Sequence, residues 1–126
     1  MSNLQKYQLE YPIKSSSKVL YNRISTPSGL SEWFADNVKI NGDIYTFIWD
    51  NTEQKAKVLN NKLNKYIRFR WLEGKEDAFF EFRIIIDDLT NDVALMVTDF
   101  TTEEEKEEAV LLWDSQIETL RQLIGS

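Results

Sequence analysis

The chain has 126 residues, 42% of them hydrophobic and 29% charged, with a formal net charge of −6 at pH 7. That length suits one domain, spanning residues 1–126, with a core large enough to need no staples, and the acidic balance is poorly matched to nucleic-acid phosphates. With no cysteine and no histidine, the composition excludes disulfides, thiolate nucleophiles, a histidine general base and the commonest zinc ligand.

The opening stretch MSNLQKYQLEYPIK has no apolar centre, so no signal peptide is expected. No apolar run approaches the ~18 residues of a membrane span. The expected location is the cytoplasm. Residues 4–13 alternate, with Tyr7, Leu9 and Tyr11 on one side and Lys6, Gln8 and Glu10 on the other. That pattern predicts a strand with one wet face, ended by Pro12. Ser15, Ser16 and Ser17 offer N-caps for a short helix to about Arg23, with Val19, Leu20 and Ile24 as its apolar face. Thr26-Pro27 is a second helix start, and Leu30, Trp33 and Phe34 follow at helical spacing.

From Asp36 onward the pattern turns to strands. Asp36 to Ile40 predicts a weak strand, and Asn41-Gly42-Asp43 a tight hairpin turn. Tyr45, Phe47 and Trp49 alternate with Thr46 and Ile48. After a break at Asp50-Asn51, Glu53 to Leu59 reads as a polar edge strand that turns at Asn60-Asn61. Ile67, Phe69 and Trp71 alternate against Tyr66, Arg68 and Arg70, and Glu73-Gly74-Lys75 turns again. Phe80, Phe82, Ile84 and Ile86 alternate against Glu81 and Arg83. A turn bracketed by Asp87-Asp88 and Asn91-Asp92 leads into an apolar strand over residues 93–100. Finally, Val110, Trp113, Ile117, Leu120 and Ile124 recur at intervals of three and four. This predicts an amphipathic helix over 102–124, with Thr102 and Glu105 as its capping box and Gly125 as its stop. At ~1.5 Å per residue it would run about 34 Å. The order is one strand, two short helices, a meander of about six strands and a long helix. Short turns make successive strands antiparallel neighbours, and the final helix is the only large cover for the sheet.

Three stretches carry a family likeness: ISTPSGLSEWFAD (Ile24–Asp36), the aromatic pair YTFIWD and YIRFRW, and the tryptophan-centred LLWDSQIETLRQLI. Together they resemble the START-like, or SRPBCC, helix-grip superfamily, and within it the AHSA type, homologues of the activator of the heat-shock chaperone ATPase. The first stretch is similar to that branch's helix pair with threonine-proline, leucine and tryptophan-phenylalanine. The resemblance covers nearly the whole chain. It implies an α+β helix-grip fold: a curved antiparallel sheet of six to seven strands wrapped around a long C-terminal helix, with a cavity between. Leu112 departs from the pattern, since the family often has glycine before the tryptophan, and leucine there would take up space beside the helix. Lipid carriers, cyclases, hormone receptors and co-chaperone domains share this fold, so it does not name a function.

No nucleophilic triad can be assembled, and Ser15 to Ser17 read as helix caps. The four glycines are isolated, which excludes a P-loop or dinucleotide fingerprint. Asp87 with Asp88, or Asp50 with Glu53, are carboxylates in turns, where Asp is common for backbone reasons. No metal site, cofactor or catalytic residue is therefore assigned. The constellation that stands out is aromatic. Tyr45, Phe47, Trp49, Phe69, Trp71, Phe80 and Phe82 should share one sheet face, with Trp113 and Ile117 opposite on the helix and Trp33 and Phe34 closing one end. These rings either fill the core or line a pocket for a small hydrophobic ligand. The leading expectation is a non-catalytic binding module. A co-chaperone-like module with a protein partner, or a homodimer, is a second expectation, drawing on Tyr66, Arg68, Arg70, Arg83, Phe79 and Ile85 of the other face. A cyclase or dehydratase is a third, requiring Asp99 or Glu32 to be buried with a raised pKa.

Overall fold

The computed structural model describes residues 3–74 and 78–125. Ten elements follow in order: β1 (Gln5–Pro12), α1 (Ser17–Ser25), α2 (Pro27–Leu30), β2 (Asn37–Asn41), β3 (Ile44–Trp49), β4 (Thr52–Lys62), β5 (Tyr66–Trp71), β6 (Phe80–Ile86), β7 (Val93–Thr101) and α3 (Lys106–Ile124). The strands form one antiparallel sheet in the order β1-β7-β6-β5-β4-β3-β2. Six strands meander from β2 to β7, and β1 closes onto β7 with Tyr7 opposite Asp99 and Leu9 opposite Val97. Helix α3 lies over the inner face, burying Trp113, Ile117 and Leu120. This is the α+β helix-grip arrangement.

Local sequence explains most element ends. Ser16 caps α1 by accepting from the Val19 N–H at 3.1 Å, and Thr26 caps α2 by accepting from the Gly29 N–H at 2.9 Å. Gly125 takes a left-handed φ of 83° and ends α3 by donating its N–H to Arg121 O at 2.9 Å.

Several expectations need correction. Helix α3 begins at Lys106 rather than Thr102. The Thr102–Glu105 pair does form, with Oγ1 to Oε1 at 3.0 Å, but it shapes a separate turn ahead of the helix. The segment SGLSEWFA is helical only to Leu30, and Ser31 to Phe34 form turns that swing both rings inward. Val19 is 49% exposed, and Tyr21 takes its place on the buried face of α1 beside Leu20 and Ile24. Strand β4 is not an edge, since it pairs with β3 and β5. Its polarity has another cause: most of its residues are exposed and only Ala56 is fully buried. Asn60 and Asn61 lie within β4, past a register shift between Val58 and Asn60, and the turn falls at Leu63-Asn64, where Asn64 takes φ 62°. The first hairpin turns on Gly42-Asp43, one residue later than the Asn-Gly pair suggests. Of the expected turn Glu73–Lys75, Lys75 lies outside the described residues.

On the outer face, Glu81 is only 4% exposed although no helix covers it. It accepts from Arg68 Nε and Arg83 Nε, each at 3.0 Å. Arg68 in turn stacks over Phe79 at 4.0 Å, and Arg83 over Tyr66 at 4.1 Å. Phe79 packs edge-on against Phe100, which accounts for a ring on this face.

The corner between α1 and α2 depends on Gly29. A Cβ there would stand 2.4 Å from Asn22 O and 2.7 Å from Arg23 Cα, both backbone atoms that cannot swing aside. Gly29→Ala should therefore cost about 1–3 kcal/mol, because the two helices must part to admit the methyl. Urea unfolding measures this, and a midpoint equal to the parent's would contradict the close approach.

Candidate functional site

The strand phases place the expected rings on one face. Tyr45, Phe47, Phe69, Phe80 and Phe82 are buried on the sheet's inner side, and Trp49 and Trp71 are half-buried at its margin. Phe69 and Phe80, directly opposite in β5 and β6, stack at 4.9 Å. Trp71 stacks on Phe80 at 4.7 Å, and Phe47 meets Phe69 edge-on at 5.8 Å. Trp113 and Ile117 descend from α3 onto this floor, with Trp113 edge-on to Phe82 at 5.8 Å. Trp33 meets Phe82 at 5.4 Å and donates its indole N–H to Arg23 O at 2.8 Å, tying the turn to α1. All eleven expected residues belong to one apolar cluster.

Phe34 is its centre. It stacks on Trp113 at 5.8 Å and Phe80 at 5.8 Å, and meets Phe47, Trp49 and Phe82 edge-on at 5.1–5.7 Å. Its backbone oxygen accepts from Trp49 Nε1 at 2.7 Å and from Gln116 Nε2 at 3.0 Å. One residue thus joins the Ser31–Asp36 segment, the sheet and α3.

The ring wall is sealed at its centre and opens at its margin. Trp49 borders a surface hollow of about 410 Å³, together with Phe34, Asp36, Gln116 and Thr119. Trp71 borders another of about 380 Å³, beside Gln54, Lys55 and Gly74. Leu112 is 61% exposed, so its bulk lies outside the space between helix and sheet rather than within it. It sits one turn before Gln116, on the same side of α3.

A polar cluster lies under the first half of α3. Tyr7 donates its hydroxyl to Asp99 Oδ2 at 3.2 Å, Trp113 donates its indole N–H to the same oxygen and to Tyr7 Oη at 3.1 Å each, and Oδ1 accepts from the Phe100 N–H at 2.8 Å. Burial pushes the Asp99 carboxyl above its ordinary value, and the donated hydrogen bonds from Phe100, Trp113 and Tyr7 pull it part of the way back. Burial and the neighbouring Asp99 charge also push the Tyr7 hydroxyl up. Glu32, by contrast, is exposed at the surface and pairs with Arg23 at 2.8 Å. The Tyr7–Asp99–Trp113 contact escapes sequence reasoning because it needs the pairing of the first strand with the last. The alternation of Tyr7, Leu9 and Tyr11 showed only which way Tyr7 faces.

Asp87 accepts from the Leu89 and Thr90 N–H groups at 2.8 and 3.0 Å, so its role is to shape the β6–β7 turn. Among the described residues no three Asp or Glu side chains gather to hold a metal ion, and no helix is long and apolar enough to cross a membrane.

A family profile described as a START-like superfamily domain matches residues 1–126. The solution structure of a Bacteroides fragilis protein is similar at 36% identity and a TM-score of 0.68, covering 98% of this chain and 92% of that one. The Aha1 dimer of Colwellia psychrerythraea aligns at 15% identity with a TM-score of 0.79, covering 95% of this chain and 96% of that one. A Mesorhizobium loti protein aligns at 16% identity and 0.79, covering 96% and 97%. At those lower identities the likeness is one of fold. None of the curated proteins matches the chain.

The raised Asp99 value has a definite sign in stability. The folded chain holds this proton more tightly than the unfolded one, so the charged carboxylate weakens the fold above the raised value. That penalty is relieved as pH falls through the raised value toward the ordinary one. A carbon-detected NMR titration should give Asp99 a midpoint above that of a free aspartate side chain. A midpoint at or below it would contradict the burial of this carboxylate.

Proposed function

Because the chain belongs to the START-like superfamily, whose fold typically serves as a ligand-binding or interaction module, we propose that it is a non-catalytic module holding a small hydrophobic ligand between the sheet and α3. One observation carries this reading. The ring wall is fully closed at Phe47, Phe69, Phe80 and Phe82 but exposes Trp49 and Trp71 beside two hollows. Indole rings with an apolar body and a half-open edge suit a flat or chain-like apolar molecule. The ligand would enter past Trp49, Trp71 and Leu112 and lie against Trp33, Phe34, Tyr45, Phe69, Phe80, Phe82, Trp113 and Ile117, moving rings that now touch. Binding by displacement costs ordering and repacking, so affinities in the micromolar range are expected. A cytoplasmic setting is part of the same proposal, and the cysteine-free composition is in keeping with it.

Asp99 is the observation that favours an enzyme of the cyclase or dehydratase kind, since it is buried with a raised pKa. Its Oδ2 is engaged by Tyr7 and Trp113 and its Oδ1 by the Phe100 N–H. That engagement favours a tether between helix and sheet over a base open to substrate.

Native mass spectrometry of protein purified from its own cells should show a retained apolar molecule. Titration with an anilinonaphthalene sulfonate probe should quench tryptophan emission and saturate. Trp71→Ala and Trp49→Ala should each weaken that binding about tenfold, the loss of one ring contact of ~1.4 kcal/mol. No retained mass together with no saturable quenching would overturn the proposal.

A further inference from the structure

At the end of the molecule away from Asp99, α1 and the β4–β5 turn enclose a groove of about 760 Å³ that the ring-lined interior does not share. Its walls are Lys18, Val19 and Asn22 of α1 on one side and Leu63 and Asn64 of the turn on the other. We propose that this groove docks an acidic protein segment that carries an aliphatic or aromatic side chain.

Three observations lead there. The first is apolar exposure where the fold does not call for it. Val19 is 49% exposed and Leu63 is 75% exposed. Leu63 stands on a tight turn whose left-handed residue is Asn64, with φ 62°. Turn chemistry asks for polar residues at such a place, and nothing in the fold requires a leucine. The two aliphatic side chains face one groove from separate elements, so together they offer a seat for a partner's apolar side chain.

The second is charge. The chain carries −6 overall, yet this end is cationic. Lys18 lines the groove together with the mutually paired Arg23 and Glu32, and Lys62 and Lys65 flank Leu63-Asn64 in the turn. Among the described residues none of these three lysines forms an ion pair, whereas Arg23 is matched by Glu32 at 2.8 Å. A local positive field in an acidic protein favours an anionic segment and repels a basic one.

The third is rigidity. The groove floor is the α1–α2 corner, which is fixed from three sides. Thr26 Oγ1 donates to Asn22 O at 2.8 Å, Trp33 Nε1 donates to Arg23 O at 2.8 Å, and Tyr45 Oη donates to Ser25 O at 2.6 Å. Gly29 lets the two helices touch. A surface already held in shape loses little freedom when it binds. The groove is small, so the contact would be weak and reversible, of the transient signalling class.

The test is NMR titration of the labelled full chain with a synthetic peptide of repeating glutamate and leucine, against a control with lysine in place of glutamate. Saturable shifts at Val19, Asn22, Leu63 and Asn64 with the acidic peptide alone are expected. They should weaken at higher salt. Leu63→Ser and Lys18→Glu are changes at the surface that leave the core intact, as circular dichroism would check. Each should reduce affinity about tenfold. Equal binding of the lysine control, shifts confined to Trp49 and Trp71, or no saturable binding would overturn the proposal. Shifts produced instead by anionic vesicles or by single-stranded DNA would overturn it too. So would concentration-dependent self-association that Lys18→Glu abolishes, which would assign the groove to a second copy of the chain. The groove shares no side chain with Trp49 and Trp71, and shifts at Val19 and Leu63 are read separately from shifts at those rings, so this result and the ligand result stand or fall separately.

Discussion

The structure depends on how Phe34 is held. Its ring stacks on both Trp113 of α3 and Phe80 of β6, and its carbonyl is shared by Trp49 of β3 and Gln116 of α3. Three parts of the chain far apart in sequence therefore meet at one side chain and its own peptide group. Apolar burial supplies most of the energy here, and the edge-on and stacked ring geometry adds a smaller directional share. The two indole and amide donors decide the orientation. They fix where the Ser31–Asp36 segment turns and how far α3 stands from the sheet.

The grip on α3 comes from two flanks. On one flank is Phe34 with Gln116. On the other is β1, where Tyr11 donates to Asp114 at 2.7 Å, Arg121 donates twice to Pro12 O at 2.9 and 3.1 Å, and Tyr7, with Asp99 of the neighbouring β7, holds Trp113. Strand β1 therefore both completes the sheet, by pairing with β7, and anchors the helix that covers it. Between the two flanks the helix meets the sheet through long side chains, and the rings span the gap. Such an arrangement leaves its margin open where no ring comes from the helix side, beside Trp49 and Trp71. That is where an apolar ligand has access in the proposed function. The opposite end, at α1 and the β4–β5 turn, carries a groove of different surface chemistry, aliphatic and cationic. An apolar site and a docking groove can thus coexist without sharing a side chain.

Much of this was legible in the sequence. Period-two alternation gave the buried face of β3, β5 and β6, apart from Ile86, which is 48% exposed at the end of β6, because a buried face tolerates no slip of register. The three- and four-residue spacing gave Trp113, Ile117 and Leu120 as the buried stripe of α3. What misled were features that look the same for different physical reasons. β4 reads as an edge because it is polar, yet it is polar because most of its side chains face water while its backbone is paired on both sides. Thr102 and Glu105 read as a helix cap because they do bond to each other, one turn too early. Val19 has helical spacing but points outward, and Tyr21, whose polar tip suggests a surface, is buried. The contacts of Phe34, Tyr7 and Asp99 were out of reach, since pairs such as Phe34 with Gln116, Tyr7 with Asp99 and Tyr7 with Trp113 lie 82, 92 and 106 positions apart and depend on topology rather than on any local pattern.

Amide hydrogen exchange on a Phe34→Ala variant tests the central role of this ring most directly. Removing it should lower the protection of α3 and the end of β3 by about 3–5 kcal/mol, the usual loss for a buried phenylalanine. Protection in α3 within about 1 kcal/mol of the parent's would show that the helix is held without Phe34, and would contradict the account.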